Sequence, residues 1–128
     1  MEKIFLEPTK VTPLVHFDPS EGLLELKGRS SPENSIQFYA KIIEALDEYT
    51  HNDGASSFTA TFAFEYFNTS SSKCLFDVFK RLSKIEAAGK DIVINWYYEE
   101  DDDDMMEAGE DYSDLLGLDF NFLEIEED

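Results

Sequence analysis

The segment from Asn68 to Lys73 reads Asn-Thr-Ser-Ser-Ser-Lys and is the stretch of this sequence best suited to regulated chemistry. It lies where an apolar strand pattern changes to a helical one, so its hydroxyls would face unpaired N–H groups and the positive end of a helix dipole. A phosphate on Thr69 would be favoured there, and Ser70 and Ser71 are candidate secondary acceptors. The other interpretation is that Asn68, Thr69 and Ser70 only cap the helix.

Evidence for catalysis is weak. His16 and His51 are the only histidines, and the sequence has neither a glycine-rich phosphate loop nor a recognisable nucleophile motif. The single cysteine, Cys74, excludes an internal disulfide, and its place at the start of a helix favours a small buried side chain over a reactive thiol. We therefore predict a protein that is not an enzyme and that has no catalytic residue and no cofactor.

The acidic run Asp101–Asp104 allows two interpretations. Its carboxylates could gather Ca²⁺ or Mg²⁺, although the spacing does not match an EF-hand loop and no metal ligand is predicted. A solvated docking surface for a basic partner is the favoured interpretation. The alternatives are a small cation-binding enzyme or an acidic interaction mimic that uses this run.

Charge is distributed unevenly along the chain. The formal net charge is −19, of which −15 belongs to residues 97–128, where no basic residue occurs. Such a field repels phosphate backbones and anionic lipids, so we expect no nucleic-acid or membrane partner. The second residue, Glu2, is already acidic, and no apolar run approaches the ~18 residues of a membrane span. These features predict a soluble cytoplasmic protein.

The first half of the chain predicts a hairpin, a helix and a long strand. Leu14–Phe17 and Leu23–Leu26 flank a Pro- and Gly-containing turn. A helix with one apolar face should begin near Pro32 and end in the polar stretch 50–54. From Ser57 to Phe67 the period is two, which predicts Phe58, Ala60, Phe62, Phe64 and Tyr66 on one inner face. The helix face comprises Ile36, Tyr39, Ile42, Ile43, Leu46 and Tyr49.

The second half continues with a helix, a strand and an acidic end. Apolar residues from Leu75 to Ile85 predict a helix that stops at Gly89. The unbroken apolar run within Asp91–Tyr97 predicts a strand parallel to the previous one and covered on both faces. Glu99–Asp104 should be a loop before a short helix around Tyr112 and a closing strand. One α/β domain over residues 1–128, with helices packed on a mixed sheet, is the expected architecture.

Five short motifs, taken in order, resemble those of the SiaC family of bacterial regulatory phosphoproteins. The resemblance spans nearly the whole chain, and the order of the motifs makes it specific. The motifs are Pro8-Thr-Lys-Val-Thr-Pro13, Phe17-Asp-Pro-Ser-Glu-Gly22, Gly28-Arg-Ser-Ser-Pro-Glu-Asn34, Asn68-Thr-Ser-Ser-Ser-Lys73 and Gly109-Glu-Asp111.

This resemblance implies a STAS-like fold, similar to anti-sigma-factor antagonists, and a role in partner switching. The phosphoacceptor of the family falls on Thr69, and a partner surface would include Asn68, Ser70, Ser71 and Lys73, with Arg29 as a weaker candidate. The implied partners are a kinase of the histidine-kinase-like ATPase fold, a PP2C-type phosphatase and a diguanylate cyclase that the unmodified form activates in c-di-GMP and biofilm control. We expect a monomer alone and a heteromer with partners.

Overall fold

The computed structural model describes residues 1–52 and 56–125. Asp53 and Gly54, assigned by sequence to the turn after the first helix, lie outside these residues, as does the end of the acidic segment, 126–128. The elements are β1 (Ile4–Leu6), β2 (Leu14–Asp18), β3 (Leu23–Ser30), α1 (Ser35–Thr50), β4 (Ser57–Phe67), α2 (Thr69–Ala87), β5 (Asp91–Tyr98), α3 (Asp103–Leu116) and β6 (Phe120–Glu124).

The strands form one mixed sheet in the order β1-β2-β3-β4-β5-β6. The pairs β1–β2 and β2–β3 are antiparallel, whereas β3–β4, β4–β5 and β5–β6 are parallel. Each parallel pair is joined through a helix, as parallel strands require a crossover connection. The predicted hairpin, the predicted parallel β4–α2–β5 unit and the predicted single α/β domain are confirmed, while the short edge strand β1 had not been predicted.

All three helices contact the same face of the sheet. The ring centroids of Tyr49 in α1 and Phe58 lie 4.9 Å apart. Those of Phe79 in α2 and Phe62 lie 4.8 Å apart. Tyr112 of α3 contacts Trp96. Residues that alternate along β4 are therefore buried, and each large apolar side chain contributes about 1.5–3 kcal/mol through burial.

The opposite face of the sheet is not covered by these helices, which corrects the prediction for β5. Val93 is 38% exposed, whereas Ile94 and Trp96 are buried. The unbroken apolar run in this strand had predicted cover on both faces. That interpretation was wrong because every helix packs on the Trp96 side, and the run reflects strand propensity as much as burial.

A bulge near the end of β4 corrects the prediction for Tyr66. Gly28 of β3 pairs with Phe64, but the next residue, Arg29, pairs with Tyr66, so Glu65 is an extra residue in β4. The bulge reverses the side-chain alternation. Tyr66 is consequently 43% exposed instead of sharing the inner face, and the Arg29 guanidinium carbon lies 4.5 Å from its ring centroid.

Two helices begin at positions that differ from the predictions. Helix α1 begins at Ser35, three residues after Pro32, with Asn34 as its N-cap. Ser35 takes the buried position one turn before Tyr39, so its neighbour Ile36 is rotated outwards and is 78% exposed. Ile36 was therefore wrongly assigned to the apolar face.

Helix α3 is longer than predicted because it takes in part of the acidic run. Asp102 is its N-cap and accepts a 3.0 Å hydrogen bond from the N–H of Met105. Asp103 and Asp104 form the first turn, where the helix dipole favours carboxylates. The expectation that the whole run is a loop was wrong for these residues.

None of the helices in the described ranges is long and apolar enough to cross a membrane.

Gly109 allows α3 to approach the sheet closely. A Cβ atom at this position would lie 2.6 Å from Cδ1 and Nε1 of Trp96. The Trp96 indole N–H donates a 2.9 Å hydrogen bond to the carbonyl of Met105, one turn earlier in the same helix. The indole therefore occupies the space that a side chain at Gly109 would need, while holding the helix backbone.

We predict that Gly109→Ala destabilises the protein by about 1–3 kcal/mol, because the clash with Trp96 outweighs the better helix propensity of alanine. Urea unfolding followed by the fluorescence of Trp96, the single tryptophan, measures this directly. Glu110→Ala, at the exposed next position, is the matched control and should change stability by less than about 0.5 kcal/mol. Equal stability of Gly109→Ala and the control would contradict the close-packing argument.

Candidate functional site

The beginnings of α1 and α2 meet at one edge of the sheet. Strands β3 and β4 are parallel and end side by side, so the helices that follow them start at the same edge. The backbone N–H of Asn68 donates to the carbonyl of Ser30 over 2.9 Å. The hydroxyls of Ser35 in α1 and Ser70 in α2 lie 2.7 Å apart. Two positive helix ends therefore face the same region of the surface.

An asparagine caps each of these two helices. The side-chain oxygen of Asn34 accepts from the N–H of Gln37, and that of Asn68 accepts from the N–H of Ser71 over 2.8 Å. The predicted capping role at this junction thus falls on Asn68. Each cap satisfies one otherwise unpaired N–H and typically contributes about 1 kcal/mol.

A buried hydroxyl network lies beneath the α2 cap. Ser30, Tyr39 and Ser71 each have no exposed surface. The Ser71 hydroxyl donates to the carbonyl of Ser30 over 3.1 Å, and the Ser30 hydroxyl donates to Ser71 over 2.9 Å. Because a hydroxyl has one proton, the 2.7 Å contact between Tyr39 and Ser30 requires Tyr39 to be the donor.

Burial changes the acidity of the groups around this network. It raises the pKa of Tyr39 to about 12, against the opposing effect of the hydrogen bond with Ser30. It likewise raises the pKa of the Cys74 thiol, to which nearby Asp77 adds. Cys74 is 5% exposed, which confirms its predicted place as a buried side chain. Tyr39 and Cys74 are thus neutral near pH 7.

The hydroxyl groups of the first α2 turn differ in accessibility. Thr69 is the first residue of the helix and is exposed, and no hydrogen bond within the described residues occupies its hydroxyl. Ser70 is also exposed, but its hydroxyl donates to Asn68 over 3.2 Å and contacts Ser35. Ser71 is buried. Within this turn, Thr69 is thus the exposed hydroxyl that no hydrogen bond of the described residues engages.

The other residues predicted for the partner surface are divided between two places. Lys73 is exposed four positions after Thr69, on the same side of α2. Arg29 instead extends from the sheet face opposite the helices, where it stacks on Tyr66. Ser71 has no exposed surface for a partner to contact, so its role in this structure is internal.

The contributions of β3 and α1 to this turn were not found by sequence reasoning. Ser30, Ser35 and Tyr39 hold the α2 turn through hydroxyl contacts, yet only the α2 serines had been singled out. Tyr39 gave a usable signal, because a tyrosine at a buried helix position needs a partner for its hydroxyl. Ser30 and Ser35, in contrast, resembled ordinary helix-capping residues.

A second contact joins this turn to α3. The Tyr112 hydroxyl donates to the carbonyl of Ser72 over 2.8 Å, and the Ser72 hydroxyl donates to the carbonyl of Thr69 over 2.6 Å. Burial raises the pKa of Tyr112, so this hydroxyl stays protonated as a donor near pH 7. The turn that contains Thr69 is therefore held by both flanking helices.

The acidic run provides no geometry for a metal centre. Over residues 1–52 and 56–125, no group of three or more His, Cys, Asp or Glu side chains is arranged to hold a metal ion. Asp102 has a structural role as a helix cap. The alternative of a cation-dependent enzyme thus gains no support from the described residues.

Comparison with known proteins assigns the family. The family model described as "SiaC family regulatory phosphoprotein" matches residues 6–125. The chain belongs to the SiaC family. An uncharacterized protein of Pseudomonas aeruginosa is 26% identical over 112 residues, which is 88% of each sequence. The resemblance inferred from the five motifs is confirmed.

Solved SiaC structures from Pseudomonas aeruginosa show the same fold. Apo-SiaC superposes with a TM-score of 0.87 at 24% identity, covering 96% of this chain and 99% of that one. A second SiaC structure gives 0.83 at 25% identity and covers 98% of each chain. A third, of the diguanylate cyclase SiaD in complex with its activator SiaC, gives 0.87 at 24% identity, covering 95% and 99%.

We predict that Ser71→Ala destabilises the protein by about 1–3 kcal/mol, because it leaves the buried Ser30 hydroxyl without its acceptor. Thr69→Ala, two residues earlier but exposed, should change stability by less than about 0.5 kcal/mol. Chemical denaturation of both variants at pH 7 provides the comparison. Similar losses in the two variants would show that burial does not distinguish these hydroxyls.

Tyr39 should make stability depend on alkaline pH. Its pKa is about 12 in the folded protein against an ordinary value of 10.0, so the unfolded chain loses the proton first as pH rises. Its stabilising effect is thus complete below pH 10 and is lost between about pH 10 and 12, by roughly 1–3 kcal/mol. Tyr39→Phe should lose less stability over this interval than the exposed-site control Tyr66→Phe in denaturation at each pH. Parallel pH profiles would refute this assignment.

Proposed function

We propose that this protein is a non-catalytic regulator in a partner-switching pathway and that it is reversibly phosphorylated on Thr69. The observation that carries the proposal is the accessible Thr69 hydroxyl at the first position of α2. Its neighbours Ser70 and Ser71 are engaged in hydrogen bonds instead. Membership of a family of regulatory phosphoproteins supports the same role.

The local structure is suited to accept a phosphate without unfolding. A phosphate adds about −1.5 to −2 charges and three acceptor oxygens. At the start of α2 these oxygens would face unpaired N–H groups and the positive helix end, and Lys73 lies one turn away. The buried contacts of Ser71 do not involve the modified hydroxyl. Phosphorylation should therefore change the surface while leaving the core unchanged.

The switch would operate through direct contact at this surface. A partner that packs against the Thr69 hydroxyl would meet a bulky, strongly hydrated dianion after modification, and it would lose affinity through steric clash and desolvation. A coupling of about 1–3 kcal/mol suffices to redirect binding. Asn68, Ser70 and Lys73 would form the surrounding epitope, with Arg29 at its margin.

The proposed partners follow from the family. SiaC of Pseudomonas aeruginosa is described as the activator of the diguanylate cyclase SiaD, with which it forms a complex. We propose that the unphosphorylated form of this chain binds and activates a diguanylate cyclase and thereby acts in c-di-GMP and biofilm control. A kinase of the histidine-kinase-like ATPase fold and a PP2C-type phosphatase would set its phosphorylation state. The protein would act in the cytoplasm, as a STAS-like monomer that forms heteromers with these partners.

Affinity-tagged wild type, Thr69→Ala and Thr69→Asp, each expressed in the source bacterium, test the proposal. Mass spectrometry should find phosphate on Thr69 of the wild type, no phosphate on Thr69→Ala, and a diguanylate cyclase co-purifying with Thr69→Ala and not with Thr69→Asp. Ser70→Ala is the matched control and should be phosphorylated like the wild type. All three variants should unfold within a few degrees of the wild type.

Two results would contradict the proposal. Phosphate on Thr69→Ala at the wild-type level would move the acceptor to another residue. Identical partners for Thr69→Ala and Thr69→Asp, with both variants folded, would show that charge at this position does not control binding.

A further inference from the structure

An open groove with an apolar floor lies between the end of β4 and the beginning of α3. Its floor is formed by Phe67, Met105 and Ala108. Met105 is 7% exposed, whereas Phe67 and Ala108 are half-buried. The volume of about 360 Å³ is at the small end of the range of ligand pockets and is sufficient for a long side chain.

The wall of this groove is formed by the bulge in β4. The extra residue Glu65 lines the groove, whereas the Tyr66 side chain is turned to the sheet face opposite the helices. Bulges commonly redirect side chains next to functional sites. On that face the Arg29 guanidinium stacks on the Tyr66 ring from the neighbouring strand. The ring is therefore already engaged with a cation, and the groove itself is lined by the carboxylates and the apolar floor.

The charge of the lining selects the kind of occupant. Glu65, Asp102 and Asp104 line the groove, and its lining includes no basic side chain. One oxygen of Asp102 is used in capping α3, while Glu65 and Asp104 are exposed. Even with the nearby Arg29 included, carboxylates outnumber cations by three to one. An occupant with a positive charge is thus favoured.

We propose that this groove binds a lysine or arginine side chain of a protein partner. The aliphatic stem would lie on Phe67, Met105 and Ala108, while the charged end would reach Glu65 and Asp104. Long basic side chains combine an apolar stem with a charged end in this way. A bare metal ion fits less well, because no metal-binding group of side chains occurs in the part of the chain that the structure describes.

The position of the groove relates it to the proposed switch. Phe67 precedes the α2 cap Asn68, so this part of the groove floor and Thr69 belong to one continuous segment. The proposal rests on the proposed function in taking the occupant to be a protein. The binding chemistry itself does not depend on phosphorylation of Thr69 and can be tested without it.

The test titrates the ¹⁵N-labelled full chain with a 15-residue amphipathic helical peptide of Leu, Ala and Arg, a probe length of roughly four turns. A second peptide carries citrulline at every Arg position, which keeps the shape and removes the charge. We expect NMR shift changes at residues 65–67 and 102–108, and Glu65→Gln/Asp104→Asn should weaken binding by about fivefold or more. The citrulline peptide should bind the wild-type chain at least as weakly as the Arg peptide binds this double variant.

The matched control is Asp103→Asn/Glu107→Gln, which removes the same charge from exposed positions of α3 outside the groove. It should weaken binding by less than about twofold. Equal weakening by the two double variants, or shift changes spread over the whole acidic surface, would reduce the effect to general electrostatic attraction and overturn the proposal. Unaltered binding of the citrulline peptide would equally overturn it.

The same two double variants, placed in the Thr69→Ala background, extend the test to natural partners. Partners that co-purify with Thr69→Ala should be lost with the groove variant and kept with its control. Failure of Thr69→Ala to capture any partner would count against the proposed function, while the peptide titration would still decide the groove. Retention of every partner by the groove variant would overturn the proposed use of the groove.

Discussion

The hydrogen bonds of the Ser30 carbonyl are the contacts on which the alignment of this fold depends most. It accepts the backbone N–H of Asn68 and the hydroxyl of Ser71, and it therefore joins the end of β3 to the start of α2. The Ser30 hydroxyl links this junction to Tyr39 in α1. Two parallel strands and two helices are aligned by this residue. Because the network is fully buried, replacing one of its members leaves an unpaired polar group, which makes its geometry specific.

This arrangement places the proposed phosphorylation site and a stabilising buried hydroxyl within one helical turn. Successive residues of a helix point in directions about 100° apart, so Thr69 and Ser71 cannot face the same environment. Ser71 faces the interior and stabilises the turn, while Thr69, the proposed phosphorylation site, faces solvent. Lys73 follows on the exposed side. The proposed regulatory site therefore lies directly beside a structural residue without a conflict between the two roles.

Elements that depend on local pattern could be predicted from the sequence, whereas positions that depend on neighbouring strands could not. The period of α2 and its asparagine cap are local features, and they were correctly predicted. Tyr66 follows the alternation of β4 in sequence but is turned outwards by a register shift against Arg29, which one strand alone does not reveal. The cover of β5 similarly depends on where the helices pack. Near the candidate site, burial of Ser71 depends on Ser30 and Tyr39, which are distant in sequence. Nothing in the sequence of the four polar residues 68–71 indicates which of them is buried.

The overall charge limits how phosphorylation could be detected by a partner. A phosphate adds at most about two negative charges to a chain that already carries −19, and physiological salt screens exposed charges beyond about 8 Å. The long-range field of the protein would thus change little. A partner must instead contact the first turn of α2 to distinguish the two states, since only there do the shape and hydration of the surface change. In the proposed switch, the acidic surface would attract a basic partner in both states, and discrimination between the states would depend on contacts within one helical turn.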